Sequence, residues 1–108
     1  MSEKKITRKP GIEMIFRSVC NQCDVTIEAL QSLSRQRKLA EARGALGWLA
    51  THFEVATLSE VGRLVNRDVA TISRAVSNIE KRLMRSKDLK EQMDMLRKEL
   101  SNNAIMQA

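Results

Sequence analysis

Apolar residues recur every three or four positions along almost the whole chain, and no stretch alternates with the period of a strand. The pattern predicts an all-α fold of about six helices. A first helix runs from Gly11 to about Gln22, with Ile12, Ile15, Phe16 and Val19 along one side. A brief second helix, capped by Asp24 or Thr26, carries Leu30 and Leu33. The third begins at Ser34 and reads SRQRKLAEARGALGWLATHF; its stripe is Leu39, Ala42 or Arg43, Leu46, Leu49, Ala50 and Phe53. Gly44 and Gly47 on it cost helix propensity, which points to a close helix crossing. The last helix opens on a capping box of Asp88 and Glu91, runs through Leu100, and shows Leu89, Met93, Leu96 and Leu100 on one face. Residues 11–101 thus form a single helical domain, preceded by a flexible basic arm (residues 1–10) and followed by a frayed tail (residues 102–108).

Between the third and last helices lies the most informative stretch, TLSEVGRLVNRDVATISRAVSNIEKRL, residues 57–83. Thr57 and Glu60 form a capping box, and Leu58, Val61 and Leu64 or Val65 make a short apolar stripe. Gly62 sits where a second helix must come close. Asn66 tolerates the left-handed conformation that ends a helix, and Asp68 is a good N-cap for the next. The period then resumes at Ile72, Val76, Ile79 and Leu83, with Ala75 filling the stripe. These are two helices joined by a turn of a few residues, the outline of a helix-turn-helix. The outer face of the second helix holds Thr71, Arg74, Ser77, Asn78, Lys81 and Arg82, with no carboxylate among them. Hydroxyls, amides and guanidinium groups on one face suit phosphates and base edges.

Charge sharpens that picture. The 108 residues carry a formal charge of +6 and a sequence pI near 9.8. Eight basic residues stand against three acidic ones between Arg63 and Lys90. Arg35, Arg37, Lys38 and Arg43 add a second excess near the third helix's start, where the helix dipole disfavours cations. An external phosphate or a minor groove would account for their placement there. A polyanion is therefore the expected partner, and double-stranded DNA the one that fits a helix-turn-helix.

Other chemistries find little support. No run of about 18 apolar residues and no signal-type segment occurs, so no membrane role and a cytoplasmic location are expected. Cys20 and Cys23 form a lone C-x-x-C; with His52 the only histidine, four zinc ligands are lacking, and no metal or other cofactor is expected. There is no G-x-x-x-x-G-K-[ST] nucleotide loop, and no nucleophile with a recognisable base, so no catalytic residue is assigned and the chain reads as a non-enzyme.

Three segments carry a family resemblance: SRQRKLAEAR (residues 34–43), TLSEVG (57–62) and NRDVATISRAVSNIE (66–80). Together they resemble the C-terminal DNA-binding domain of the bacterial chromosomal replication initiator, DnaA, whose fold is of the Trp-repressor-like type. The resemblance implies that Arg35 enters a minor groove, and that Arg43 and the backbone at Thr57 and Leu58 hold phosphates; Arg37 is a DNA-binding candidate from its place at the helix start. The resemblance also places Arg67, Asp68, Val69, Ala70 and Thr71 toward the major groove, with Asp68 able to accept from a cytosine amino group; Arg74 joins the phosphate contacts. The family's signature histidine and first threonine are Val69 and Ala70 here, so a hydrogen-bonding reader and a hydroxyl are replaced by groups that can meet a thymine methyl. The stretch RDVATISRAV is similar also to the version of this domain at the C-terminus of some tyrosine-type transposases, although the chain has no tyrosine. The expected function is sequence-preferring binding of double-stranded DNA, without nucleotide, by a domain that is a monomer in isolation. A transposase recognition module and a helical protein-interaction module are the alternatives.

Overall fold

A computed structural model describes residues 10–106, with side chains described through Asn102. Six helices follow one another: α1 (Ile12–Cys23), α2 (Ile27–Leu30), α3 (Arg37–His52), α4 (Leu58–Leu64), α5 (Val69–Arg85) and α6 (Lys87–Met106). Among the described residues there is no strand, and no helix is long and apolar enough to cross a membrane. The basic arm falls almost wholly outside the described residues.

The core is the sum of the apolar stripes. Ile15 and Val19 of α1, Leu30 of α2, Leu46 and Leu49 of α3, Val61 and Val65 around the end of α4, Ile72 of α5 and Leu100 of α6 are all fully buried. Burying each large aliphatic side chain is worth about 1.5–3 kcal/mol, which is how short helices such as α2 and α4 persist. The central pair is α3 with α5, and glycine sets their spacing. A Cβ on Gly44 would stand 2.6 Å from the Ala75 carbonyl oxygen, and one on Gly47 would stand 2.7 Å from a Val76 methyl. Gly62 serves the turn rather than a second helix: a Cβ there would meet the Arg67 carbonyl oxygen at 2.5 Å.

Local signals fix most helix ends. The α4 capping box is complete, with the Glu60 amide donating to Thr57 Oγ1 (3.1 Å) and the Thr57 amide to Glu60 Oε1 (2.8 Å). Asn66 takes the left-handed conformation (φ 58°), and Asp68 Oδ1 accepts from the Thr71 amide at 2.9 Å to cap α5. Thr26 caps α2 by accepting from the Ala29 amide.

Four further expectations need correction. α3 starts at Arg37, not Ser34, because Ser34 Oγ accepts from the Gln36 amide in a local turn that keeps residues 34–36 out of the helix. Leu33 is exposed rather than in the core, since α2 ends at Leu30. α6 is capped by Ser86, whose Oγ accepts from the Leu89 amide, so Asp88 lies inside the helix and only Ser86 separates α5 from α6. Finally, α6 continues through Met106: residues 101–106 contain no Gly or Pro to stop it, and the buried Leu100 anchors the preceding turn.

Gly44→Ala tests the α3–α5 spacing. Propensity alone would stabilise the helix by about 1 kcal/mol, but the added methyl meets backbone, and overpacking costs about 1–3 kcal/mol or more. Thermal denaturation should show Tm falling by roughly 5–10 °C; an unchanged or raised Tm would show that the helices can separate freely.

Candidate nucleic-acid interface

The first turn of α5 presents Asp68, Val69 and Ala70 to solvent, all exposed. Val69 is 47% exposed, so its side chain is open to contact from outside the fold. The Asp68 carboxyl is held below the usual carboxylate range, first by hydrogen bonding from the Thr71 side chain and amide, then by the nearby Arg74 and Arg67. Its carboxylate is therefore the form presented at neutral pH. Stabilisation from this depressed group is present above its unfolded-state pKa and is lost as pH falls through the lower folded value.

Beside this turn, between α3 and α5, lies a cleft of about 320 Å³ lined by Arg35, Arg43, Arg67, Thr71, Arg74 and Asn78, with Ala40 and Ala75 as its small side chains. No carboxylate lines it. Arg35 and Arg74 are exposed, and among the described residues neither makes an ion pair. Four guanidinium groups around one small cleft make a strongly positive seat.

Arg43, expected to hold phosphate, is largely engaged within the fold. It is only 4% exposed, and its guanidinium donates to the carbonyls of Leu30 (Nε, 2.9 Å), Ser34 (3.0 Å), Ser32 (3.0 Å) and Ala29 (3.3 Å). Burial, and secondarily the charge of Arg67, push its pKa down. Arg43 thus organises the segment before α3 and also lines the cleft, with four of its five N–H donors taken by carbonyls. Arg67 shares the task, donating from Nη2 to Ser32 (3.0 Å) and Ser34 (2.9 Å), while its buried Nε has no partner. Two further bonds tie the same segment to the helix-turn-helix: Gln31 Nε2 donates to the Leu64 carbonyl (2.9 Å) and Asn66 Nδ2 to the Gln31 carbonyl (3.2 Å). Arg35 is carried on this segment.

The remaining expected residues fall elsewhere. Thr57 and Leu58 open α4 and border a separate hollow with Glu54 and Glu60. Here the Thr57 amide donates to Glu60 Oε1. Arg37 begins α3 and pairs with Glu41 (3.5 Å), so part of its conflict with the helix dipole is relieved internally. Sequence reasoning missed the carbonyls of residues 29–34 as the ligands of two arginines; the one available signal was that Arg43 shares the helical period of Leu39, Leu46 and Leu49.

The basic cleft beside a capped recognition-helix start is the arrangement of a nucleic-acid-reading helix-turn-helix, and comparison with known proteins agrees. The family described as "Bacterial dnaA protein helix-turn-helix" matches residues 12–79. This chain belongs to that family. It is a helix-turn-helix domain of the DNA-binding, replication-initiator type. It is 34% identical over 82 residues to the chromosomal replication initiator protein DnaA of Oleidesulfovibrio alaskensis, covering 76% of this chain and 18% of that protein. It is 28% identical over 99 residues to the DnaA of Flavobacterium psychrophilum, covering 91% of this chain and 21% of that protein. A third DnaA, from Desulfatibacillum aliphaticivorans, is 32% identical over 78 residues, 72% of this chain and 17% of its own length. The chain therefore spans about a fifth of the length of these relatives.

Arg43→Lys separates scaffold from contact. One ammonium cannot span four carbonyls, and hydrogen bonds to charged groups contribute about 1.5–3 kcal/mol each. Urea unfolding should show a loss of at least about 2 kcal/mol, while the slope of log affinity for duplex DNA against log salt stays as in the wild type. A slope lowered by about one with stability intact would restore Arg43 to the phosphate contacts.

Proposed function

We propose that this domain reads a short double-stranded DNA sequence through the first turn of α5, with Arg35 reaching an adjacent groove and the α3–α5 cleft seating backbone phosphates. The observation that carries the reading is the juxtaposition of the exposed Asp68, Val69 and Ala70 with a cleft lined by four arginines and no carboxylate. Helix N-termini and arginine clusters bind phosphate, whereas specificity comes from base edges. Val69 and Ala70 offer apolar contact to thymine methyls, Asp68 offers an acceptor to cytosine N4, and Thr71 adds a hydroxyl. Arg35 and Arg74, both exposed and without an ion pair among the described residues, supply most of the charge-dependent affinity. The DnaA relatives carry the printed name of chromosomal replication initiators; an origin or mobile-element sequence is the class of target that this likeness and the RDVATISRAV stretch suggest. The absence of a histidine at position 69 favours a site that differs from the relatives' own.

Selection from random-sequence duplexes at near-physiological salt tests this reading. A defined motif should be enriched, with a steep salt dependence. Arg35→Ala and Arg74→Ala should weaken binding to every sequence and lower the salt slope by about one each. Val69→Ala should cost about 1–3 kcal/mol of discrimination at one or two base pairs only. Enrichment of no sequence, with binding insensitive to salt, would overturn the reading.

A further inference from the structure

The arginine cleft does not end at Asn78. Ala40, Ala75 and Asn78 also line a second hollow of about 360 Å³ that continues along the α3–α5 seam, where the cations are Arg37, Lys81, Arg82 and Arg85. From Arg74 to Arg82 along α5 is eight residues, about 12 Å of helix, and one strand of a duplex places a phosphate every 3.4 Å or so of its axis. The trough is long enough for more than one phosphate.

One carboxylate interrupts it. Glu41 is the sole acidic residue lining either hollow. Its Oε2 lies 2.7 Å from Arg82 Nη1 and 3.5 Å from Arg37 Nε. Two guanidinium groups from different helices thus converge on a single anionic oxygen, as they would on a phosphate oxygen. Side chains of Glu41 and Arg82 are 39% and 44% exposed, so the pair is open to exchange with an anion from solvent. A half-exposed pair of this kind is worth little to the fold, whereas the charge it cancels lies in line with the phosphate seat already described.

We propose that Arg37, Arg82 and their neighbours Lys81 and Arg85 form a second phosphate seat for the duplex backbone, and that Glu41 occupies it as an internal phosphate mimic in the free domain. This rests on the duplex-binding reading above and extends its footprint past residue 78. Glu41 then sets affinity: while its carboxylate pairs with Arg37 and Arg82, the backbone does not settle there. Non-specific binding is held down as a result, because every sequence presents the same phosphates.

Glu41→Gln removes the charge while nearly preserving shape. Anisotropy titrations of a random-sequence 20-base-pair duplex at about 50–200 mM salt should show about fivefold tighter binding at the low end and a salt slope steeper by about one. Arg82→Gln should weaken the wild type less than twofold, since that cation is already neutralised, but weaken the Glu41→Gln domain about fivefold. This coupling is what a merely structural ion pair would not produce, and thermal denaturation of each variant checks that the fold is kept. Equal or weaker binding by a folded Glu41→Gln, or an equal effect of Arg82→Gln in both backgrounds, overturns the proposal. If the wild type itself holds no duplex at low salt, the functional reading fails and this goes with it; if Arg35→Ala weakens binding while Glu41→Gln changes nothing, only the role of Glu41 is lost.

Discussion

The Arg43 guanidinium, buried on α3 and bonded to four carbonyls of residues 29–34, is the interaction on which the rest of the interface depends. A buried cation is costly unless its donors are satisfied, and here neutral carbonyls satisfy them with no carboxylate to cancel the charge. Two consequences follow. The irregular segment between α2 and α3 is tied to α3 by these bonds, and Arg35 is carried on the segment so anchored. Positive potential also remains at the base of the cleft, where an acidic partner would have removed it.

That clamp is shared with the turn of the helix-turn-helix. Arg67 donates to two of the same carbonyls, and Gln31 and Asn66 bond across to each other's segments. Four hydrogen bonds therefore tie the residues before α3 to the turn that opens α5. Gly44 and Gly47 let α3 and α5 approach closely enough to form the trough, with Ala40 and Ala75 lining it. Packing and electrostatics meet on this seam: the residues that bring the helices together also decide how near the arginines of one come to those of the other.

Much of this was legible in the sequence because it is local. The Thr57–Glu60 box, the Asp68 cap and the left-handed Asn66 are set by residues within a few positions of one another, and the structure has each of them. The helical period located the buried stripes, and the glycines announced the crossing of α3 and α5. What escaped was set by distance in sequence. Arg43 reads equally as a stripe residue and as a surface cation until the carbonyls 9 to 14 residues before it are folded back around its side chain. The sequence predicts an α3 start at Ser34, three residues early, because the hydroxyl's part in a turn is not visible in the apolar period. The same local ambiguity gave the α6 cap to Asp88 when Ser86 takes it.

The most direct test of the account is amide chemical-shift mapping of the folded domain during titration with a duplex enriched by selection. Perturbations concentrated at residues 35–41, 67–74 and 78–82, with α1 and the outer face of α6 unchanged, are the predicted result. Perturbations centred on α1 or α6, leaving the first turn of α5 silent, would contradict it.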